Sequence, residues 1–471
     1  MAIGIFWLLF VIALASPARL SVYLFFASIS FRMLAVIPVN YTGGVTFVPM
    51  SLLAPLMAIK LIAATRDAVA VQDLLFNWRK LGLLTATWLV GLAVTATAPL
   101  LFAGTSIIEL STVTVAPLEF RSSNLTQILY LTSSCLTVIS FCLLLQTVEG
   151  RKFLARGLVI GSVVVSLSGL VDMATAGTTA LASLRTGTYT LLNDNMMGTM
   201  RRVIGFCSEA SSYGSLTLGF GSAMLCLRPG QLLGGSWRLF DCPIALITLT
   251  FALLSTSSGT YVGVATLLLL FLGDYLYRLL TDRSPAARAR LQRESIGIGA
   301  MMLIAAVVIA LRWDVVEQVA RMIDETVLQK GASSSYEARA YVTTVSLDAW
   351  RATSGYGVGI GSTLASSYPV IVLASLGVVG TTLMLGFLAL CFLRRIPRGD
   401  PALATLVSGS RYCFVANFIP ALGAGTLIDF GPFNALFFAA MAITPFALQP
   451  EPWQRATRLR NPVLARATIG S

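Results

Sequence analysis

The sequence predicts an all-α, polytopic membrane protein with about 12–13 transmembrane helices. Three observations carry this. Of 471 residues, 56% are hydrophobic and only 11% charged, with a mean hydropathy of +0.81. A soluble domain carries about 25% charged residues, so too few are present here to cover a water-facing surface. The apolar residues fall in blocks near the roughly 20 residues that cross a bilayer. Finally, basic residues sit in short runs between the blocks, as cytoplasmic anchors do.

In chain order, apolar blocks run near 2–15, 20–39, 45–65, 81–103, 125–147, 157–176 and 204–227. Further blocks run near 241–255, 260–280, 296–311, 368–393, 402–422 and 430–448. The first lacks a basic segment before it and reads as a short membrane helix, not a signal peptide. Arg66, Arg79 and Lys80 share one loop, and Arg151, Lys152 and Arg156 another. Arg278, Arg283, Arg288, Arg290 and Arg293 form a third cluster, Arg394, Arg395 and Arg398 a fourth, and the tail adds Arg455, Arg458, Arg460 and Arg466. All fall on one side of the count, which predicts that side, and the C-terminus with it, to be cytoplasmic.

The chain divides into N-terminal membrane helices over 1–311, an outer loop over 312–367, C-terminal membrane helices over 368–448 and a tail over 449–471. The outer side holds the stretches 104–124, 177–203 and 312–367. In the last, "WDVVEQVARMIDETVLQ" has the spacing of an amphipathic helix lying on the membrane, with Glu317 and Arg321 one turn apart. A second short helix through Arg339 and Trp350 follows, then "GYGVGIG", a glycine-rich turn. No internal repeat is evident.

The net charge of +12 comes from these anchors and gives no case for nucleic acid. The absence of histidine removes imidazole bases, imidazole metal ligands and every Ser-His-Asp arrangement. The seven cysteines lie in or beside apolar segments without metal-ligand spacing and read as packing residues.

Charge that breaks the membrane rules is the functional signal. Arg201 and Arg202 stand where the 177–203 stretch enters the membrane on the outer side, against the positive-inside bias. Glu209 follows about two turns deeper on the expected helix, and an intramembrane carboxylate is by default functional. A helix-locking Arg–Glu pair is the plain alternative. Arg312, Arg321, Arg339 and Arg351 add outer positive charge, with solvated surface the alternative for Arg312, Arg321 and Arg351. Lys60 can snorkel to a cytoplasmic end, whereas Arg32, inside an apolar block, is harder to dismiss. Guanidinium groups at an outer membrane face suit phosphate oxygens, as a lipid-linked pyrophosphate presents them. There is neither a Walker loop nor a dinucleotide fingerprint.

Three segments carry a family resemblance. "MRRVIGFCSEASSYGSLTL" resembles the Arg-x-x-Gly…Glu-x-Ser segment of Wzy-type polysaccharide polymerases and O-antigen ligases. "LLSTSSGTYVGV" resembles their Ser-x-Ser-Arg-Gly helix pair. "ARAYVTTVSLDAWRATSGYGVGIGST" with "VLASLGVVGTTLML" resembles their long periplasmic loop and the helix after it. Together the matches cover roughly residues 195–390 in order.

The resemblance implies a GT-C-like membrane glycosyltransferase of a bacterial inner membrane. It would join undecaprenyl-pyrophosphate-linked oligosaccharides at the periplasmic face, with no cofactor or metal; membrane lipid and a chain-length regulator protein are the expected partners. By position, Arg202 and Arg339 would hold the pyrophosphate and Glu209 would position an arginine or orient the acceptor hydroxyl. Arg201, Arg312 and Arg321 are further substrate-binding candidates. Two departures matter: Ser257-Ser258-Gly259 lacks the family arginine, and Ser366-Ser367-Tyr368 stands where ligases carry histidine. The resemblance therefore favours a repeat-unit polymerase, with a lipid-linked-sugar flippase and a ligase-like enzyme as the other readings.

Overall fold

Apolar blocks of this length become helices because lipid offers no partners for backbone N–H and C=O groups, which must then bond within the segment. The computed structural model describes residues 2–42, 45–65, 67–110, 112–188, 196–197, 200–281, 334–397 and 399–442, with isolated positions 288, 292 and 295. Helices α1 (Ala2–Ala15), α2 (Ala18–Ser28), α3 (Pro49–Thr65), α4 (Ala68–Phe76) and α5 (Gly82–Leu101) open the chain. After them come α6 (Ser122–Leu145), α7 (Val148–Ala174), α8 (Ala210–Leu227), α9 (Pro229–Leu233), α10 (Asp241–Leu254) and α11 (Ser258–Thr281). The last four are α12 (Ser334–Ala352), α13 (Tyr368–Leu393), α14 (Pro401–Leu422) and α15 (Gly431–Ala442).

Among the described residues, six helices are long and apolar enough to cross a membrane: α5, α6, α7, α11, α13 and α14. Helices α1, α2, α3, α10 and α15 are apolar but shorter. The chain is a multi-pass membrane protein on this showing. The expected block at 296–311, the amphipathic segment with Arg312 and Arg321, and the tail from 443 onward lie outside the described residues.

Basic residues distant in sequence gather at one end of the bundle. Arg151 donates to the Leu145 carbonyl (2.8 Å) and pairs with Asp400, which caps α14 through the Leu403 N–H. Arg394 donates to the Arg79 and Lys80 carbonyls and to Met441 at the end of α15. Lys80 pairs with Asp73, whose carboxyl it holds below the usual value together with Asn77. Lys60 donates to the Ala13 and Ser16 carbonyls, so it satisfies the C-terminal carbonyls of α1 instead of snorkelling into solvent.

Three boundaries differ from the sequence reading. Helix α7 begins at Val148, so Arg151, Lys152 and Arg156 lie on a helix, not in a loop; Thr147 caps it by accepting from the Gly150 N–H. Helix α2 stops at Ser28, leaving the rest of the 20–39 block irregular. The 204–227 block becomes helical only at Ala210, with Glu209 as its N-cap. The cause is Asp172, buried near the end of α7, whose carboxylate accepts from the Ile204 and Gly205 N–H groups at 2.9 and 3.2 Å. Gly205 takes a left-handed turn there, φ 53°, and a helix cannot form through it. Glu209 is therefore not two turns down a helix that Arg202 begins.

At the other end a hairpin of β1 (Ser106–Ile108) and β2 (Val115–Pro117) packs with α12 and the glycine-rich turn on the end of α5, around Val94, Ala98, Ile107, Leu118, Ala349 and Val358. A second two-stranded pairing joins β3 (Met196–Met197) to β4 (Met200–Arg201). Helix α13 is broken at Gly377, φ 65°. The turn repairs the break: Val358 and Gly359 donate to the Ala374 and Ser375 carbonyls, and the Val378 N–H reaches Gly355. Irregular backbone in a membrane protein survives only where protein partners satisfy it in this way.

Candidate functional site

A chamber of about 700 Å³ opens among α3, α6, α8, α11, α12, α13, α14 and α15, within the roughly 300–1,000 Å³ usual for small-molecule sites. Ten serines line it, including Ser133 and Ser134 on α6, Ser211, Ser212 and Ser215 on α8, and Ser257 and Ser258 at the start of α11. Apolar side chains also line it, Leu388, Phe414, Phe418 and Phe438 among them; Phe414 and Phe418 stack at 4.9 Å. Its charged lining is Arg32, Arg339, Glu209 and Asp429.

Each charged group is placed by its own local structure. Arg32 lies on the irregular segment after α2, beside Phe31, which stacks on Phe206 at 5.1 Å. The next residue, Met33, donates its N–H to the Phe206 carbonyl (3.2 Å), and Arg32 Nη1 donates to Ser212 Oγ (3.2 Å). Arg339 lies on α12 one turn before Thr343, whose hydroxyl donates to the Arg339 carbonyl (2.7 Å) and accepts from the Ser366 N–H (3.1 Å). That pins Arg339 and Ser366 to the same wall. Among the described residues, the Arg339 guanidinium has no hydrogen-bond or ion-pair partner. Glu209, at the N-terminus of α8 where the helix dipole favours negative charge, accepts from the Ser211 hydroxyl.

Asp429 lies in the short connection before α15. Its Oδ1 accepts from Ser134 Oγ (2.6 Å) and from the Gly431 N–H (3.2 Å). Desolvation pushes this carboxyl above the usual carboxylate value, against the pull of Ser134, Gly431 and the nearby Arg32. Sequence reasoning missed it. The available signal was a lone acid between two apolar blocks, the same rule that singled out Glu209.

The arginines at 201 and 202 are held elsewhere. Arg201 and Arg185 both pair with Asp172 Oδ1, at 3.4 and 2.7 Å, so Arg201 serves the node that shapes the 202–209 segment. Arg202 Nε donates to Thr256 Oγ1 (2.9 Å) and Nη2 to the Thr256 carbonyl (3.2 Å). Thr256 is in the left-handed region, φ 49°, and Arg202 braces this turn just before Ser257 and Ser258 enter the chamber. Burial pulls the Arg202 guanidinium below the usual arginine value, while Glu209 and Tyr261 pull it back up. Arg351 makes the expected surface pair with Asp348 at 2.7 Å, both well exposed. Arg312 and Arg321 lie outside the described residues.

The seven cysteines are free and five are buried, as packing residues would be. Among the described residues no group of three or more His, Cys, Asp or Glu could hold a metal ion. The chamber offers two guanidinium groups to an anion, a field of hydroxyls to a polyol, and aromatic side chains to an apolar chain. No family model matches the chain, and neither a curated protein nor a solved structure matches it.

Proposed function

We propose that this protein is a membrane glycosyltransferase of GT-C type that polymerises undecaprenyl-pyrophosphate-linked oligosaccharide repeat units at the periplasmic face of a bacterial inner membrane. The observation that carries the reading is the chamber, whose lining brings Arg32 and Arg339 together with ten serines and a set of apolar side chains. A lipid-linked sugar has this division of chemistry: a doubly charged pyrophosphate, a polyol, and a hydrocarbon chain. Arg339 takes pyrophosphate oxygens through its planar fork, as family position also suggests, and Arg32 is the second cation. Their charge offsets what develops on the leaving pyrophosphate as the acceptor hydroxyl attacks the anomeric carbon. Arg202 is a positioning residue in this scheme, and Glu209 orders the serines at the start of α8.

Deleting the gene tests the proposal. Surface polysaccharide should collapse from long chains to single repeat units, and plasmid-borne protein should restore the chains. Wild-type chain lengths after deletion would refute polymerisation. Loss of single repeat units along with the long chains would replace it with export of the lipid-linked sugar.

A further inference from the structure

We infer that Asp429 takes the proton of the acceptor hydroxyl, and is the general base of the chamber. The inference rests on the glycosyl-transfer reading above and adds a residue that the sequence did not single out. Three features of Asp429 argue for it. It lines the chamber together with Arg32 and Arg339. Ser134 and the Gly431 N–H both bind its Oδ1, which fixes the plane of the carboxyl. Its Oδ2 has no partner among the described residues. A base must be held in orientation while keeping one oxygen open for the incoming proton.

The neighbouring groups suit that role. Cys135 on α6 and Tyr368 on α13 are the other titratable groups against Asp429, and Tyr368 is turned to the Ile428 carbonyl (3.3 Å). Arg32 is the charged group that acts on it, and the two form no direct ion pair. Among the described residues, no cation therefore occupies the free oxygen. Desolvation makes the carboxylate a stronger proton acceptor than a solvated aspartate.

In the step itself the acceptor oxygen forms a bond to the donor's anomeric carbon. The bond from that carbon to the pyrophosphate oxygen breaks, and its electron pair leaves with the lipid pyrophosphate. The acceptor's proton passes to Asp429 Oδ2, and Arg339 and Arg32 balance the charge on the leaving group.

The experiment compares purified wild-type protein with Asp429→Asn and Asp429→Glu in detergent, using lipid-linked repeat units as substrate across a pH series. Asparagine preserves the bonds from Ser134 and Gly431, so folding should be retained, as checked by melting temperature. Asp429→Asn should lower turnover about 10²- to 10⁴-fold, the usual contribution of a positioned base. The wild-type rate should fall on the acid side with a midpoint above the ordinary carboxylate range of about 4. That limb should disappear in Asp429→Asn and survive, shifted, in Asp429→Glu. A purely structural Asp429 would lower the melting temperature of both variants and leave the limb in place, which would overturn the inference. Binding of the lipid pyrophosphate by itself, and its loss in Arg339→Ala, is measured in parallel. If that binding is absent in the wild type, the glycosyl-transfer reading falls; if it is present and the acid limb does not depend on residue 429, only the base assignment falls.

Discussion

Among the described residues, several arginines near the chamber's end of the bundle are committed to a partner. Arg185 and Arg201 serve Asp172, Arg121 pairs with Glu109 at 2.6 Å, and Arg351 pairs with Asp348. Arg32 and Arg339 differ: one has a single serine hydroxyl, the other no side-chain partner among the described residues. A guanidinium held at a chamber wall without a direct ion-pair partner is free to take an anionic ligand. A hydrogen bond to a charged group contributes ~1.5–3 kcal/mol, so Arg339→Ala and Arg32→Ala should each cut turnover at least about tenfold. Lysine should rescue only in part, because a point charge replaces a bidentate fork. Arg351→Ala should leave activity unchanged, since exposed pairs contribute little. Polymer chain length at matched expression reads all three; wild-type lengths from both alanine variants at 32 and 339 would remove the clamp. Arg339, which lines the chamber, is singled out from the sequence because it sits in a resembling motif on the side expected to lack positive charge. Arg32 and Asp429 were not assigned, because the chamber joins positions 32, 209, 339 and 429 through packing that no local pattern encodes.

At the scale of elements, the glycine-rich turn and the break in α13 are one structure built from two segments. Gly355, Gly357, Gly359, Gly361 and Gly377 all have positive φ. A Cβ on Gly377 would lie 2.0 Å from the Tyr356 carbonyl oxygen, and one on Gly357 would lie 2.6 Å from the Gly377 nitrogen. The turn therefore works as a plug for the freed backbone of α13, not as a phosphate loop, and it fixes where Ser366 and Tyr368 enter the chamber. Gly377→Ala should destabilise the purified protein through left-handed strain of about 1–3 kcal/mol together with the clash. Gly399→Ala, which meets open space, should have the wild-type melting temperature. Equal melting for both variants would show that the turn and the helix are not coupled. Apolar periodicity read 368–393 as one helix, and its ends agree with α13. It could not show the break, since a single glycine leaves the apolar pattern intact and the repairing groups lie some twenty residues earlier in the chain. The 204–227 block failed for the same reason: Asp172, far away in sequence, captures the N–H groups that a helix would have used.

For the whole molecule, helix direction and charge placement give the same polarity. Helix α13 starts at the chamber with Tyr368 and ends by Arg394; α14 starts at Asp400 and returns to the chamber at Pro420; α15 leaves it at Gly431 and ends where Met441 accepts from Arg394. Helix α6 likewise runs from the chamber residues Tyr130 and Ser134 to Leu145, which accepts from Arg151. Arg151 and Arg394 thus gather backbone carbonyls at the end opposite the chamber's charged lining, with Arg394 reaching a carbonyl 315 positions away in sequence. The apolar lining extends toward that end as far as Leu388 and Phe438. The positive-inside bias predicts that such an end faces the cytoplasm; on that prediction the charged lining of the chamber faces the outer side, as the proposed function requires. Reporter fusions test the polarity directly. A fusion after Gly399 should report the cytoplasm, and one after Gly177, in the connection between α7 and α8, should report the opposite side. If the fusion after Gly177 reports the cytoplasm, the chamber faces inward and a periplasmic polymerase is impossible, whatever the outcome at Arg339. If both fusions report as expected, the polarity places the open Arg339 fork and the free oxygen of Asp429 on the side of the membrane where the proposed reaction would take place.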